Sequence, residues 1–377
     1  MNRRERLLRT LRGESIDRPP VCFYEINGYD EHPEDPDPFN IFSDPSWKPL
    51  IELARAYSDR IVMRGVIFHN TLPDPIDQLA SMRTYYKNGS RYTIKTIRNG
   101  NYLLTERTRQ DTDVNTVWTE EHLLKGVEDL EAFLSLPAPS FYGIPDIAPV
   151  LKVERDLGNS GIVMIDTPDP LCLAAALFDM AEYTVIALRE QSLFHKLLDR
   201  FAITLLPQTE AIAKALPGRL WRIYGPEYAS PPFLPPRLFK EYVVDYDTPM
   251  VEAIQRFGGY ARLHCHGRIK MILDDIASTG CTGLDPIEPP PQGDVQLAFV
   301  RERVGQQMVL FGNLEACDIE NLPTSEFEQK IRIALEQGTA GMGRGFVLMP
   351  SACPYGRRLS SLAMRNYEKM IEMVGKF

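Results

Sequence analysis

Tyr260-Ala261-Arg262-Leu263-His264-Cys265-His266-Gly267 opens the segment that decides the fold. Its first five residues read as a short β-strand. His264 and His266, two apart on an extended backbone, project to one face while Cys265 points away. The following stretch, 269–278, keeps Ile269, Ile272, Leu273 and Ile276 on one helical side, and Gly283-Leu284-Asp285-Pro286 then reads as another strand. Strand, helix and strand in close succession form a crossover unit, which pairs its strands in parallel.

The same alternation runs outward in both directions. Strands are expected at Val21-Cys22-Phe23-Tyr24, Arg60-Ile61-Val62-Met63-Arg64, Gly161-Ile162-Val163-Met164-Ile165-Asp166, Leu220-Trp221-Arg222-Ile223-Tyr224, Gln307-Met308-Val309-Leu310-Phe311 and Gly345-Phe346-Val347-Leu348-Met349. Helices are expected over 324–336 and, as a pair, over 174–206. With Tyr260–His264 and Gly283-Leu284-Asp285-Pro286 the count reaches eight strands, which predicts an α/β chain closed as a (β/α)8 TIM barrel. One segment departs from the pattern. From Arg91 to Thr108 β-prone residues flank Asn99-Gly100, a dipeptide that favours the positive φ angles of a hairpin turn. It predicts an antiparallel hairpin insertion at about 85–118, between the second and third strands, followed by a helical or irregular path from Trp118 to Leu136. The Pro-rich patches at 32–38, 231–236 and 286–291 read as ordered loops, so one domain over 1–377 is expected.

Composition narrows the function classes. The chain has 377 residues, 44% hydrophobic and 25% charged, in the range of a soluble globular protein. A formal charge of −9 argues against general nucleic-acid binding, which needs clustered Lys and Arg. Arg3, Arg4, Arg6, Arg9 and Arg12 are interleaved with Leu7, Leu8 and Leu11 on one helical face, as in a solvated helix. The sequence shows neither a signal-peptide core nor a membrane-spanning run. Its six cysteines lack CxxC spacing, so a reduced, cytoplasmic setting is the expectation.

In such a barrel the chemistry sits at the C-terminal ends of the strands. That selects Asp166, Glu227, His264, His266, Asn313 and Cys353. The two histidines can reach one point. Zinc accepts imidazole, thiolate and carboxylate, so Cys353 and Glu227 are candidates to complete a metal site; the histidines can equally be hydrogen-bonded polar residues at a barrel mouth. Asp166 is read either as a catalytic or substrate-binding carboxylate or as a helix cap, and Asn313 as a ligand contact or a turn residue. Tyr24, Trp221 and Tyr224 can line an aromatic pocket or simply fill the core. His69, His122 and His195 read as structural or exposed, and Cys22, Cys172, Cys281 and Cys317 as buried small side chains. Arg357-Arg358 reads as a solvated helix start or an anion contact.

Several pieces together resemble the uroporphyrinogen-decarboxylase-like superfamily. They are Arg4-Glu5-Arg6 with Leu7-Leu8, Arg12-Gly13-Glu14, Asp17-Arg18-Pro19, the His264-to-Gly267 turn, Gly283-Leu284-Asp285-Pro286 and Gly312-Asn313. The resemblance spans nearly the whole chain and implies the same barrel. True decarboxylases of that superfamily bind an acidic tetrapyrrole through an arginine-rich segment after the first strand. Here the segment is Glu25-Ile26-Asn27-Gly28-Tyr29-Asp30-Glu31, which would repel a polycarboxylate.

The other branch holds zinc methyltransferases that work with a corrinoid protein through a His-x-Cys and a distant Cys. His264 matches the histidine, Cys353 the distant cysteine, and His266 stands in the place of the first cysteine. The stretch Trp118-Thr119-Glu120-Glu121-His122 with Glu128-Asp129-Leu130 is also similar to members that use small methylated substrates. Exchanging a thiolate for imidazole leaves a more positive metal, better suited to polarise an ether oxygen than to activate a thiol. The resemblance therefore implies a zinc-dependent enzyme moving a methyl group from an O-methyl substrate, such as a methoxylated aromatic, to the cobalamin of a partner corrinoid protein. A homodimer is compatible with it. A thiol-methylating relative and a metal-free decarboxylase-like or binding barrel are the alternatives.

Overall fold

The structure is a computed structural model describing residues 1–69, 71 and 74–377. In chain order its strands are β1 (Arg60–Arg64), β2 (Phe68–His69), β3 (Ala80–Lys87), β4 (Ser90–Asn99), β5 (Tyr102–Gln110), β6 (Val117–Glu121), β7 (Ile144–Pro145), β8 (Gly161–Pro168), β9 (Leu220–Tyr224), β10 (Tyr260–His264), β11 (Gly283–Asp285), β12 (Val309–Leu314) and β13 (Gly345–Pro350). Seven of these, β1-β8-β9-β10-β11-β12-β13, make one sheet in that order, with every neighbouring pair parallel.

The remaining gap, between β1 and β13, is closed by a much shorter element than expected. Of Val21-Cys22-Phe23-Tyr24 only Val21 forms a bridge, parallel to Leu348. Cys22 N donates to Leu348 O (2.9 Å), and Asp59 N, just before β1, donates to Val21 O (2.7 Å). The extended run stops because Tyr24 turns into the left-handed region at φ 55, which a non-glycine residue adopts only when its surroundings hold it there.

Alternation along the strands divides the core. Ile162, Met164, Leu220, Val309, Phe311, Val347 and Met349 cluster with Leu7 and Leu11 of the helix Arg3–Arg12. Their sequence neighbours Val163, Ile165, Trp221, Ile223, Leu310 and Leu348 belong to the larger cluster beneath the helices. The period of two thus puts one set inside the barrel and the other under the helical layer. Each such side chain contributes about 1.5–3 kcal/mol by leaving water. The first helix closes the N-terminal end of the barrel; Asn2 caps its start, and Gly13, at φ 71, ends it.

The insertion between β1 and β8 is larger than a hairpin: β3-β4-β5-β6 form a four-stranded antiparallel sheet. The Asn99-Gly100 turn joins β4 to β5 with Gly100 at φ 58, and Ile97 and Leu104 anchor the sheet in the main core. Trp118 lies on β6, against the expected helical or irregular path, and the helix begins only at Val127. β6 is exposed over Val117–Glu120, so its sequence carries no buried face to reveal a strand. Three helices, Pro170–Ala175, Met180–Arg189 and Gln191–Ala215, replace the expected pair, and the helix after β10 starts at Leu273. Among the described residues no helix is long and apolar enough to cross a membrane.

Candidate active site at the barrel mouth

Inside the barrel the inward positions turn from apolar to ionic toward the C-terminal ends. Arg222 on β9 lies in register with Asp166 on β8 and Arg262 on β10. Its Nε and second terminal nitrogen donate to the two Asp166 oxygens at 2.6 and 3.0 Å. Its first terminal nitrogen donates to the Tyr24 hydroxyl. The guanidinium sits 5.6 Å from the Tyr24 ring centre and 5.2 Å from that of Tyr224, a cation between two aromatic faces. Arg262 is buried over Phe311 at 4.8 Å. Its Nε is 2.8 Å from Asp285 Oδ1 but is not aligned to hydrogen-bond, so that contact is ionic.

Register also pairs His264 on β10 with Asp285 on β11. His264 Nδ1 lies 2.8 Å from Asp285 Oδ2, and His266 Nδ1 lies 2.8 Å from Glu288 Oε1. Glu288 Oε2 accepts from Gly267 N at 2.7 Å. The two imidazole centres are 4.6 Å apart and nearly perpendicular. Burial alone would push Asp285 up, but the Arg262 charge, with His264, holds it below the usual carboxylate range. For Glu288 burial is likewise outweighed, by His266, and the carboxyl is held low; His266 in turn is raised by Glu288 against its own desolvation. With each Nδ1–H directed at a carboxylate, the neutral ring presents Nε2 as its free lone pair.

Carboxylate-backed imidazoles of this kind are the supporting arrangement of histidine metal ligands, and on that test the pair fits a zinc ion. The other two proposed ligands are engaged elsewhere. Cys353 Sγ donates to Glu25 Oε2 at 3.2 Å, and burial together with that carboxylate pushes the thiol well above its ordinary range. Glu227 lies in the turn Pro226–Ala229, where its Oε2 accepts from Gly225 N at 3.2 Å. Ser230 Oγ contacts both Glu227 O (2.8 Å) and His266 O (3.2 Å), tying the loops after β9 and β10 together. Among the described residues, no group of three or more His, Cys, Asp and Glu side chains stands ready to hold a metal ion.

Of the remaining candidates, Asp166 neutralises Arg222, and the helix cap is Asp169, which accepts from Cys172 N. Tyr24 stacks 6.0 Å from the His264 ring, and Tyr224 and Asn313 are half-buried on β9 and β12. Trp221 points outward into the helical layer and lines no pocket at the mouth. His122 and His195 contact Ala176 O and Tyr246 Oη, and His69 is exposed beside Asp146. Cys22 and Cys281 are buried as expected, but Cys317 is exposed. Arg357 is no helix start: it donates to Thr112 O, Pro38 O and Ser43 Oγ, fastening the insertion to the barrel.

Sequence reasoning missed Asp285, Glu288, Arg222, Arg262, Glu25 and Glu315. For the first two a signal was present, since Asp285 ends and Glu288 follows β11, the neighbour of the strand that runs into His264 and His266. Glu315 had none. It sits beyond β12, with one oxygen accepting from Ser351 Oγ at 3.2 Å and the other, buried, without a partner. Burial and the nearby Glu288 charge push it up to about 7.

Comparison with known proteins gives a family and a fold. Over its full length the chain superimposes on 99% of a methyltransferase from Methanosarcina mazei, with a TM-score of 0.63 and 17% identity. A D-psicose 3-epimerase matches over 61% of this chain and 92% of its own, at 8% identity and a TM-score of 0.32. No curated protein matches. The sequence profile described as Uroporphyrinogen decarboxylase (URO-D) matches residues 139–371, which carry β8 to β13 and all but the first segment of the mouth. The chain belongs to the uroporphyrinogen decarboxylase (URO-D) family.

Proposed function

We propose that this chain is a zinc-dependent methyltransferase, moving a methyl group from an O-methyl substrate, of the methoxylated aromatic class, to the cobalamin of a partner corrinoid protein docked at the barrel mouth. The observation that carries the reading is the pair His264 and His266, each held at Nδ1 by its own carboxylate with Nε2 left open. The similarity of the whole chain to the Methanosarcina mazei methyltransferase supports the same fold.

His264 and His266 would hold the zinc, with Cys353 and Glu227 as further ligands once Cys353 exchanges Glu25 for the metal. Bound there, zinc supplies Lewis acidity toward the substrate's ether oxygen. The rest falls to the chain's own groups. Asp285 and Glu288 fix the planes of the two rings, so little reorientation is needed when a ligand arrives. Tyr24 and Tyr224, braced on Arg222, form an aromatic wall beside His264 suited to a planar substrate. As the methyl group passes from the ether oxygen to the partner's cobalamin, the oxygen keeps the bonding electron pair and takes up a proton to depart as a phenol. Glu315, beyond β12 with one oxygen on Ser351 Oγ and its carboxyl pushed up by burial and the Glu288 charge, is the proton donor we assign. Asp166 acts by holding Arg222 in place.

The test supplies zinc and cob(I)alamin to the purified chain with methoxylated benzenes and follows methylcobalamin by absorbance. Wild type is expected to turn over and to carry near-stoichiometric zinc. His264→Ala and His266→Ala are expected to lose zinc and at least about 100-fold of the rate. Zinc-loaded protein that forms no methylcobalamin from any O-methyl donor, yet consumes methylcobalamin with a thiol, would replace this reading by the thiol-methylating one.

A further inference from the structure

The barrel has a second polar concavity at its opposite, N-terminal end. A cleft of about 300 Å³ opens between the first helix, the segment leading to Val21 and the start of β13; Arg18, Arg301, Arg344, Ser15, Phe346 and Phe377 are among its walls. Among the described residues two of those arginines lack a counter-charge. Arg301 is only 7% exposed, and its guanidinium donates to backbone carbonyls alone, Ala340 O at 3.0 Å and Gly345 O at 3.3 Å. Burial by itself pulls its pKa down, with no carboxylate acting against it. The group lies flat against Gly343, where an added Cβ would stand 2.0 Å from Cζ. Arg344 donates from Nε to Leu11 O at 3.1 Å. Among the described residues neither arginine has a carboxylate oxygen within ion-pair distance.

The acids of the same cleft are already committed. Asp17 is bound to Arg6 at 2.7 Å, and Glu14 lies 3.8 and 3.9 Å from Arg9 and Arg12. Arg18 is balanced by Asp59 at 2.9 Å. A buried guanidinium satisfied only by carbonyls retains its full charge in a poorly solvated place, an arrangement that costs several kcal/mol unless an anion offsets it. Planar guanidinium forks match the oxygens of phosphate, and two of them on one cleft match a doubly charged group better than a carboxylate. Phe346 and Phe377 add apolar wall, enough for more than an inorganic ion.

We propose that this cleft is an anion site for a small phosphate ester with an apolar moiety, separate from the catalytic mouth and bound through Arg301 and Arg344. The N-terminal end of such a barrel serves stability and the C-terminal end chemistry, so occupancy there is expected to stiffen the fold rather than to take part in chemistry.

Calorimetric titration of the full chain with phenyl phosphate, inorganic phosphate and benzoate, at ionic strength fixed with chloride, tests the assignment. Phenyl phosphate is expected to bind one per chain, more tightly than inorganic phosphate and at least 10-fold more tightly than benzoate. Arg344→Gln and Arg301→Lys, each checked for an unchanged near-ultraviolet circular dichroism spectrum, are expected to weaken it at least 10-fold. Heats no larger than those of chloride, affinity unchanged in Arg344→Gln, or benzoate binding as well as phenyl phosphate would each overturn the proposal. Because the mouth is untouched, the outcome is independent of the methyl-transfer reading.

Discussion

Asp285 and Asp247 are equally sealed from water, at 0% exposure each, yet their surroundings shift them in opposite directions. Asp285, at the end of β11 and facing the barrel axis, meets Arg262 and His264 and is held as a carboxylate. Asp247, in the helix Asp245–Arg256 outside the sheet, has among the described residues no hydrogen-bond partner for either oxygen. Burial, then the negative charge of Glu227, pushes it well above the carboxylate range, and burial with the Asp247 charge raises its neighbour Asp169. Burial sets only the cost of charge. The partner decides whether that cost is met by pairing or avoided by taking up a proton. A carboxylate held low by cations, as Asp285 is, can orient an imidazole, whereas Asp247 is raised by burial and by the like charge of Glu227.

The largest effect is expected where pairing is removed at Asp285. Asp285→Ala strands Arg262 and His264 without a counter-charge, which should cost about 3–5 kcal/mol of stability, read from urea unfolding. A loss below about 1 kcal/mol would mean that Arg262 finds another partner and that Asp285 is no organising residue. Glu288→Gln tests the same idea nearer the solvent. Its single amide oxygen can serve Gly267 N while an amide N–H now faces His266 Nδ1, so the fold should lose about 1–3 kcal/mol, while zinc affinity, measured by chelator competition, should fall by about 10–100-fold. An unchanged affinity would separate His266 from the metal.

This division was only half visible in the sequence. β1, β9 and β10 occupy the residues their β-branched and aromatic runs indicate, and the resemblance to the URO-D-like superfamily is matched by the family profile. His264 and His266 do share a face, as the two-residue period requires. What could not be read is which carboxylate meets which base. That depends on strand register, and one residue of shift would have placed Asp285 opposite a different side chain. The short closing segment at Val21 was legible as apolar but not as a single bridge, because the reversal at Tyr24 is imposed by its surroundings. Cys353 stands on a loop, where its choice of Glu25 follows from chain path and not from local pattern.

The smallest effect is expected at Asp247, and its sign separates the two carboxylates most cleanly. A group whose pKa is raised on folding gives its full stability below the unfolded value, near 3.9; as pH climbs toward the folded value, the unfolded chain ionises first and stability drains away. Asp285, with a lowered pKa, behaves in the opposite sense and loses its contribution as pH falls. Asp247→Asn replaces the acid by a neutral near-isostere and deletes the titration. The variant should match wild type at pH 4 and exceed it by about 1 kcal/mol at pH 8, in urea unfolding followed by circular dichroism. A variant less stable than wild type at pH 8 would show that Asp247 is ionised and paired in the folded chain. A second charged centre would then lie beside Asp169 and Glu227, and the contrast with Asp285 would fail.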